Sequence, residues 1–286
     1  MSRYHAPTSL AEALEILAGD DVRVVAGGTD LMIQFREARL TGGPLPATVL
    51  DVNRLPELAR LELTGDEPYV GAGLTYHFLE TDPAVARVYP LLAQAAAGVG
   101  SVQVRHTGTL GGNAANASPA GDGVTALTAL GARAEIASAR GRRVLPLPEL
   151  ILAPNRNALA PDELILGFFV DRLPAGAGQA FAKVGRRQAV AIARLNLAVA
   201  LDPDLAEPRV VLGASFPSPR RLAPVEELLT GGEPGPALWR AAGQRAAAEF
   251  VNVCGWRSSA PYKVPAVEHM LAATLAEAWE KAGGAA

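Results

Sequence analysis

Apolar positions recur along the chain with two periods. Leu10, Leu14 and Leu17 share one face of a helix, and Thr8 or Ser9 followed by Glu12 forms a capping-box signal ahead of it. Val22–Val25 is a short β-branched run ending at two glycines, and Val49–Val52 is a second apolar run. The first ~55 residues therefore read as a small unit of β-α-β type. Tyr69–Gly73 predicts a strand. Leu79–Ala97 predicts helix broken at Pro83 and Pro90, since proline lacks an N–H donor and crowds the preceding turn. Asp122–Leu130 predicts a further helix. Ala134–Ala137 and Arg143–Leu147 predict a hairpin around Arg140-Gly141, and Leu164–Val170 another strand. The composition loosens at Pro174-Ala175-Gly176-Ala177-Gly178, which marks a boundary. Beyond it, Ala180–Val184, Ala191–Leu201 and Arg209–Ala214 predict a second sheet. Helices over Pro224–Leu229, Pro236–Val251 and Pro265–Ala282 follow, each opened by a proline suited to a first helical turn.

A chain of 286 residues can bury a large core, and two or three packed units are expected. Hydrophobic residues make up 49% and charged residues 19%, as in an ordinary globular protein and not a disordered one. The net charge of -3 and pI of about 5.9 lack the basic field that nucleic-acid binding requires. No long apolar stretch opens the sequence, so no secretory signal is expected. The run Ala189–Leu201, interrupted by Arg194 and Asn196, is too short to span a bilayer. A cytoplasmic location is expected. The single cysteine, Cys254, excludes an internal disulfide framework, an iron–sulfur cluster held by this chain alone and a cysteine-based zinc site. His5, His77, His106 and His269 are scattered without metal-ligand spacing on one helix and read as structural or surface residues.

The chemistry concentrates in two glycine-rich segments. In Ala26-Gly27-Gly28-Thr29-Asp30 a buried strand runs into adjacent glycines. Glycine admits positive φ and a close-lying anion, and successive N–H groups in such a turn form a nest for phosphate oxygens. A plain strand-to-helix turn capped by Asp30 would leave the same residues. The second segment, Arg105 to Asp122, contains Thr109-Leu110-Gly111-Gly112-Asn113 and packs small and amide side chains into what reads as a long irregular loop. Either a bulky ligand lies against it, or the loop satisfies itself; long ordered loops are often functional. The common nucleotide patterns are missing. There is no Gly-x-x-x-x-Gly-Lys, and Gly71-Ala72-Gly73-Leu74-Thr75-Tyr76 puts tyrosine where a dinucleotide fingerprint has its third glycine.

Ala26-Gly27-Gly28-Thr29-Asp30-Leu31, together with Thr107-Gly108-Thr109-Leu110-Gly111-Gly112-Asn113 and Ala117-Ser118-Pro119-Ala120-Gly121-Asp122, resembles the FAD-binding subunit of the molybdenum hydroxylases. That family includes xanthine dehydrogenase, carbon monoxide dehydrogenase and related aldehyde and N-heterocycle dehydrogenases, and the match covers essentially the whole chain. The resemblance implies an α+β fold. An FAD domain of the vanillyl-alcohol-oxidase (PCMH) type would comprise two subdomains, residues 1–56 and 57–175. A C-terminal α+β domain, residues 176–286, would add an antiparallel sheet with helices and close over the flavin. It implies FAD as the cofactor of this chain, and no catalytic residue or metal of its own. It also implies a large molybdopterin subunit and a small [2Fe–2S] subunit as partners in a dimer of heterotrimers. Electrons would leave the clusters through FAD for an external acceptor. Residue by residue, Arg23, Val24, Val25, Ala26, Gly27, Gly28, Thr29 and Asp30 match the first FAD segment, whose N–H groups would hold the pyrophosphate. Thr109, Leu110, Gly111, Gly112 and Asn113 match the second, and Asn116 a ribityl or phosphate contact. Asp122 matches a carboxylate near the FAD sugar or ribityl chain. Val99 stands where the family has a bulkier aromatic, and Ile165 at an apolar position beside the flavin. Lys183 lies near the position of a basic flavin partner, although a solvated strand lysine would look the same. Thr29-Asp30 departs from the histidine–serine pair of the carbon monoxide dehydrogenase version, which speaks against carbon monoxide as substrate. The competing function is a self-contained flavin-dependent oxidoreductase of the same fold, which would need its own acid or base; the C-terminal half shows no clear constellation of that kind.

Overall fold

The computed structural model describes residues 2–187 and 190–284. Strands β1 (Arg3–His5), β2 (Val22–Val25) and β3 (Thr48–Asp51) form a parallel sheet in the order β1-β3-β2, with Val22 to Val25 registered on Thr48 to Asp51. Parallel neighbours need crossovers, and α1 (Leu10–Leu17) and α2 (Leu31–Thr41) occupy them. Ser9 Oγ accepts the Glu12 N–H at 3.3 Å, the N-cap half of the expected box. β1 escapes the hydrophobic pattern because all three of its residues are exposed.

The second sheet is antiparallel. It contains β4 (Leu61–Glu62), β5 (Tyr69–Gly71), β6 (Arg133–Ser138) and β7 (Gly141–Pro146). A separate hairpin of β8 (Ile151–Ala153) and β9 (Arg156–Asn157) precedes β10 (Leu164–Phe169), and the sheet order is β4-β5-β10-β6-β7. Helices α3 (Tyr76–Thr81), α4 (Pro83–Val88) and α5 (Pro90–Ala97) break at the two prolines as expected. The glycine-rich stretch read as an irregular loop instead holds two short helices, α6 (Val102–Thr107) and α7 (Leu110–Asn116). Ser101 caps the first by accepting the Val104 N–H at 3.3 Å, and Thr109 caps the second by accepting the Gly112 N–H at 3.0 Å. The Thr109 cap contributes about 1 kcal/mol, similar to what one interior glycine costs, so it offsets part of the cost of Gly111 and Gly112 in α7. α8 (Asp122–Ala129) is buried at all eight positions, and α9 (Leu147–Leu150) is a single turn.

The third sheet runs antiparallel through β11 (Gly178–Val184), β12 (Leu195–Leu201), β13 (Arg209–Gly213) and β14 (Arg220–Arg221). Helices α10 (Ala223–Leu229), α11 (Pro236–Cys254) and α12 (Ala260–Lys281) follow it. β12 is buried throughout. Leu195, Leu197, Val199 and Leu201 join the core shared with α11 and α12, while Ala198 and Ala200 join the N-terminal core. Alternation thus gives one sheet a bulky face and a small face, and the small face admits α8. Two element starts move the furthest. β12 starts at Leu195, not Ala191, because Ile192 is 81% exposed and finds no layer to cover it. α12 starts at Ala260, with Pro261 in its first turn and Pro265 inside the helix, so the second proline is not the start signal.

Gly243 sets the approach of α11 to α12: a Cβ there would stand 2.3 Å from the Glu268 carbonyl oxygen. In an open helix, glycine to alanine stabilises by about 1 kcal/mol. Here Gly243→Ala is expected to lower stability by about 1–3 kcal/mol in urea denaturation; a raised midpoint would show that the helices do not meet at this point.

Candidate functional site

The two glycine segments pack directly on each other. A Cβ on Gly27 would lie 1.9 Å from the Thr107 carbonyl oxygen and 2.8 Å from the Gly108 nitrogen. Gly28 then turns the chain with φ +65°, a left-handed conformation that glycine adopts without a steric cost. Asp30 occupies the N-cap position of α2, but its side chain makes no capping bond. Among the described residues, the backbone N–H groups of Gly27, Gly28, Thr29 and Asp30 meet no acceptor. Four free donors at a turn leading into a helix N-terminus are the arrangement that receives an anion.

The second segment contributes differently. Its N–H groups are largely engaged: Leu110 donates to the Leu74 carbonyl, Gly111 to the Ala72 carbonyl, Gly112 to Thr109 Oγ1 and Asn113 to the Thr109 carbonyl. Leu110 is fully buried, so this expected contact residue serves the core. Gly111 is required by packing, since a Cβ would stand 2.5 Å from the Ala72 Cβ. Gly112 is exposed and borders the cleft, where an added Cβ would meet only Thr109 Oγ1. Asn113 Oδ1 accepts the Val124 N–H at 3.1 Å, which orients the amide between α7 and α8.

Between the segments lies a cleft of about 850 Å³, toward the upper end of the range for cofactor pockets, about 300–1,000 Å³. Of the expected site residues, Arg23, Val24, Val25, Ala26, Gly27, Gly28, Thr29, Asp30, Val99, Thr109, Gly111, Gly112, Asn113, Asn116 and Ile165 line it; Leu110, Asp122 and Lys183 do not. Tyr76, the residue that spoiled the dinucleotide fingerprint, lines it as well. Its side chain is 4% exposed and its hydroxyl has no partner among the described residues. Burial, with the charges of Asp122 and Asp30, holds the phenol well above its ordinary pKa. It therefore stays a neutral donor, packed against Gly123 of α8 behind the cleft wall; the donors that the cleft itself offers are the four amides of the first segment. A large ligand with several oxyanion and hydroxyl oxygens fits this donor set, and FAD is such a ligand. Periodicity had no means of finding Tyr76, because only the fold turns its hydroxyl inward.

Asp122 and Lys183 form a different structure. Lys183 Nζ donates to Asp122 Oδ2 at 2.5 Å and to the Gly98 carbonyl at 2.9 Å, and Asn196 Nδ2 donates to Asp122 Oδ1 at 2.7 Å. Thr125 Oγ1 donates to Asn196 Oδ1 at 3.1 Å. Both carboxylate oxygens of Asp122 are thus engaged by the C-terminal sheet, and the lysine is anything but a solvated strand residue. Burial pushes the Asp122 carboxyl up, and the Lys183 ammonium and Asn196 amide hold it down. The carbonyl of Gly98 precedes Val99, so this clamp abuts the end of the cleft. His77 and His106, far apart in sequence, stack on α3 and α6 with ring centroids 3.8 Å apart. No group of three or more histidine, cysteine or acidic residues among the described residues could hold a metal ion. No described helix is long and apolar enough to cross a membrane.

Comparison with known proteins agrees with this geometry. Residues 1–172 match the FAD binding domain in molybdopterin dehydrogenase, and residues 179–278 the CO dehydrogenase flavoprotein C-terminal domain. The chain is 31% identical to the nicotine 6-hydroxylase medium subunit of Paenarthrobacter nicotinovorans over 96% of each chain. It is 36% identical to the caffeine dehydrogenase subunit beta of a Pseudomonas species over 80% of this chain and 78% of that one. Among solved structures it is similar to carbon monoxide dehydrogenase from Hydrogenophaga pseudoflava, with a TM-score of 0.88 and 28% identity over 98% of both chains.

The clamp predicts a pH dependence. Lys183→Met leaves Asp122 buried with only Asn196 to stabilise its charge, so its folded pKa rises further. A raised folded pKa means stability is retained below the unfolded value of about 3.9 and lost as pH climbs through the folded one. The thermal midpoint of Lys183→Met is expected to fall as pH rises from about 4 to about 8, with a loss of about 3–5 kcal/mol near neutrality. Adding Asp122→Asn is expected to flatten the profile. A flat profile in the single variant would mean that the pair carries no buried charge.

Proposed function

The chain belongs to the family of FAD-binding subunits of the molybdenum hydroxylases, and on that premise we propose that it is the flavin-bearing electron-transfer subunit of such a complex. Bound FAD would supply the redox capacity, taking electrons from [2Fe–2S] clusters on a small partner subunit and passing them to an external acceptor. A large molybdopterin subunit would hydroxylate the organic substrate, with the assembly a dimer of heterotrimers in the cytoplasm. Residues 1–56 and 57–175 would be the two flavin-holding subdomains, and residues 176–286 the domain that closes on them.

The observation that carries this reading is the row of donors without partners among the described residues that one cleft collects: the N–H groups of Gly27, Gly28, Thr29 and Asp30. The four amides would hold the pyrophosphate, with the Thr29 hydroxyl adding a donor. Arg23 to Ala26 would wall the cleft on that side. Asn113 and Asn116 would address the ribityl chain, and bare Gly112 would let it lie close to the backbone. Val99 and Ile165 would flank the flavin ring. Asp122 and Lys183 would act from behind, positioning the Gly98–Val99 backbone and keeping the C-terminal sheet in place.

Titration of apoprotein with FAD, followed by flavin fluorescence and visible absorption, tests this. The wild-type chain is expected to bind one FAD. Thr29→Val, which removes one side-chain donor at the cleft, is expected to weaken binding about tenfold with little change in melting temperature. Failure of the wild-type chain to bind FAD would overturn the assignment, as would oxidation of an organic substrate by the isolated chain.

A further inference from the structure

A cationic cluster lies at one end of the C-terminal domain. Lys263, in the first turns of α12, donates from Nζ to the Ala214 carbonyl at 2.5 Å and sits 5.8 Å from the Phe250 ring centroid. Arg257, in the loop before α12, donates from Nε to the Cys254 carbonyl at 2.9 Å, and the Cys254 thiol donates to the Ser215 carbonyl at 3.4 Å. Arg194, just ahead of β12, holds its guanidinium 5.9 Å over the Tyr262 ring. The ends of α11 and β13 and the starts of α12 and β12 thus meet in one place.

None of these three cations forms a salt bridge with a carboxylate among the described residues. Burial, with Arg257 and Arg194 close by, draws the Lys263 ammonium below its ordinary pKa, and the neighbouring Cys254 opposes this. Ser215 is 5% exposed and its hydroxyl has no partner among the described residues. The cluster is held rigidly: Ala214 takes φ +54°, and its N–H donates at 2.8 Å to the Pro119 carbonyl in the turn after α7. α12 is 22 residues long, and Ser259 at its N-cap position makes no side-chain capping bond, so the positive end of the helix dipole adds to the three charges.

We propose that Arg194, Arg257, Lys263 and the Ser215 hydroxyl form an oxyanion site that takes a phosphate-bearing small molecule. Three cations gathered without a carboxylate repel one another, and an anion seated among them reverses the sign of that interaction. A phosphate suits the set better than a single carboxylate: its charge approaches the three opposing it, and its oxygens can accept from guanidinium, ammonium and hydroxyl donors together. The site is separate from the cleft, being built from the far end of the third sheet and from helices that do not line the cleft.

Isothermal titration of the full, FAD-saturated chain with inorganic pyrophosphate tests this, since flavin then fills the cleft. One saturable site is expected, weakening as salt rises. Lys263→Met and Arg194→Gln are each expected to lower the affinity about tenfold, while Arg240→Gln, on the exposed side of α11, leaves it unchanged. Arg194 is exposed and its guanidinium donates no hydrogen bond among the described residues, so its variant keeps the test valid if loss of the Lys263 tie to Ala214 impairs folding. Absence of saturable binding, or equal affinity in wild type, Arg194→Gln and Arg240→Gln, would overturn the proposal.

Discussion

The close approach of Gly27 to Thr107 and Gly108 is the contact on which the cleft depends. It joins the parallel sheet to the helical layer of the second sheet backbone to backbone, at a separation that any side chain would prevent. Because the contact spends the amide directions of neither Gly28 nor Thr29, the N–H groups of the turn remain free to point into the cleft. A larger residue at position 27 would therefore displace both walls together, and its effect on a ligand would come through packing. The same holds for Gly111 against Ala72. Gly112 is the glycine of this region whose missing side chain matters chiefly on the cleft side.

A second constraint comes from the buried polar group that ties the C-terminal sheet to the N-terminal core. Asp122 begins the wholly buried α8, and its two oxygens are claimed by Lys183 of β11 and Asn196 of β12. Removing one partner of such a network costs more than the pair contributes, so the clamp specifies the docking geometry more than it adds to stability. Further polar contacts run along the same interface: Gln94 Oε1 accepts the Phe181 N–H, Gln179 Nε2 donates to the Val88 carbonyl, and Arg209 pairs with Asp171. The alanine face of β12 is the apolar complement, allowing α8 to lie close enough for these bonds to form.

The cleft and the cationic cluster rest on one physical logic. In each, buried or backbone donors are held without acceptors by surroundings that cannot relax to pair them. At the cleft these are backbone amides, and at the far end of the third sheet they are ammonium, guanidinium and hydroxyl groups. The first set suits a large ligand that lies along the backbone, the second a compact and highly charged one.

Local pattern was enough for elements whose burial is periodic or whose ends carry proline: α1, the break of α3 to α5 at Pro83 and Pro90, the β6–β7 hairpin, and the leucine–alanine alternation of β12. It also located the two glycine segments, because positive φ and close approach leave a compositional trace at Gly27-Gly28 and Gly111-Gly112. It missed β1, whose residues are exposed, α6, which buries none of its residues, and α7, whose threonine cap offsets part of the cost of its two glycines. Long-range partners decided the rest. That Asp122 and Lys183 neutralise each other behind the cleft, that Leu110 belongs to the core, and that Tyr76 presents an unpaired hydroxyl depend on residues tens of positions apart meeting in space. Periodicity records which face of an element is apolar, but not which element covers that face or which polar groups find partners there, and those pairings exist only once the sheets and helices have docked.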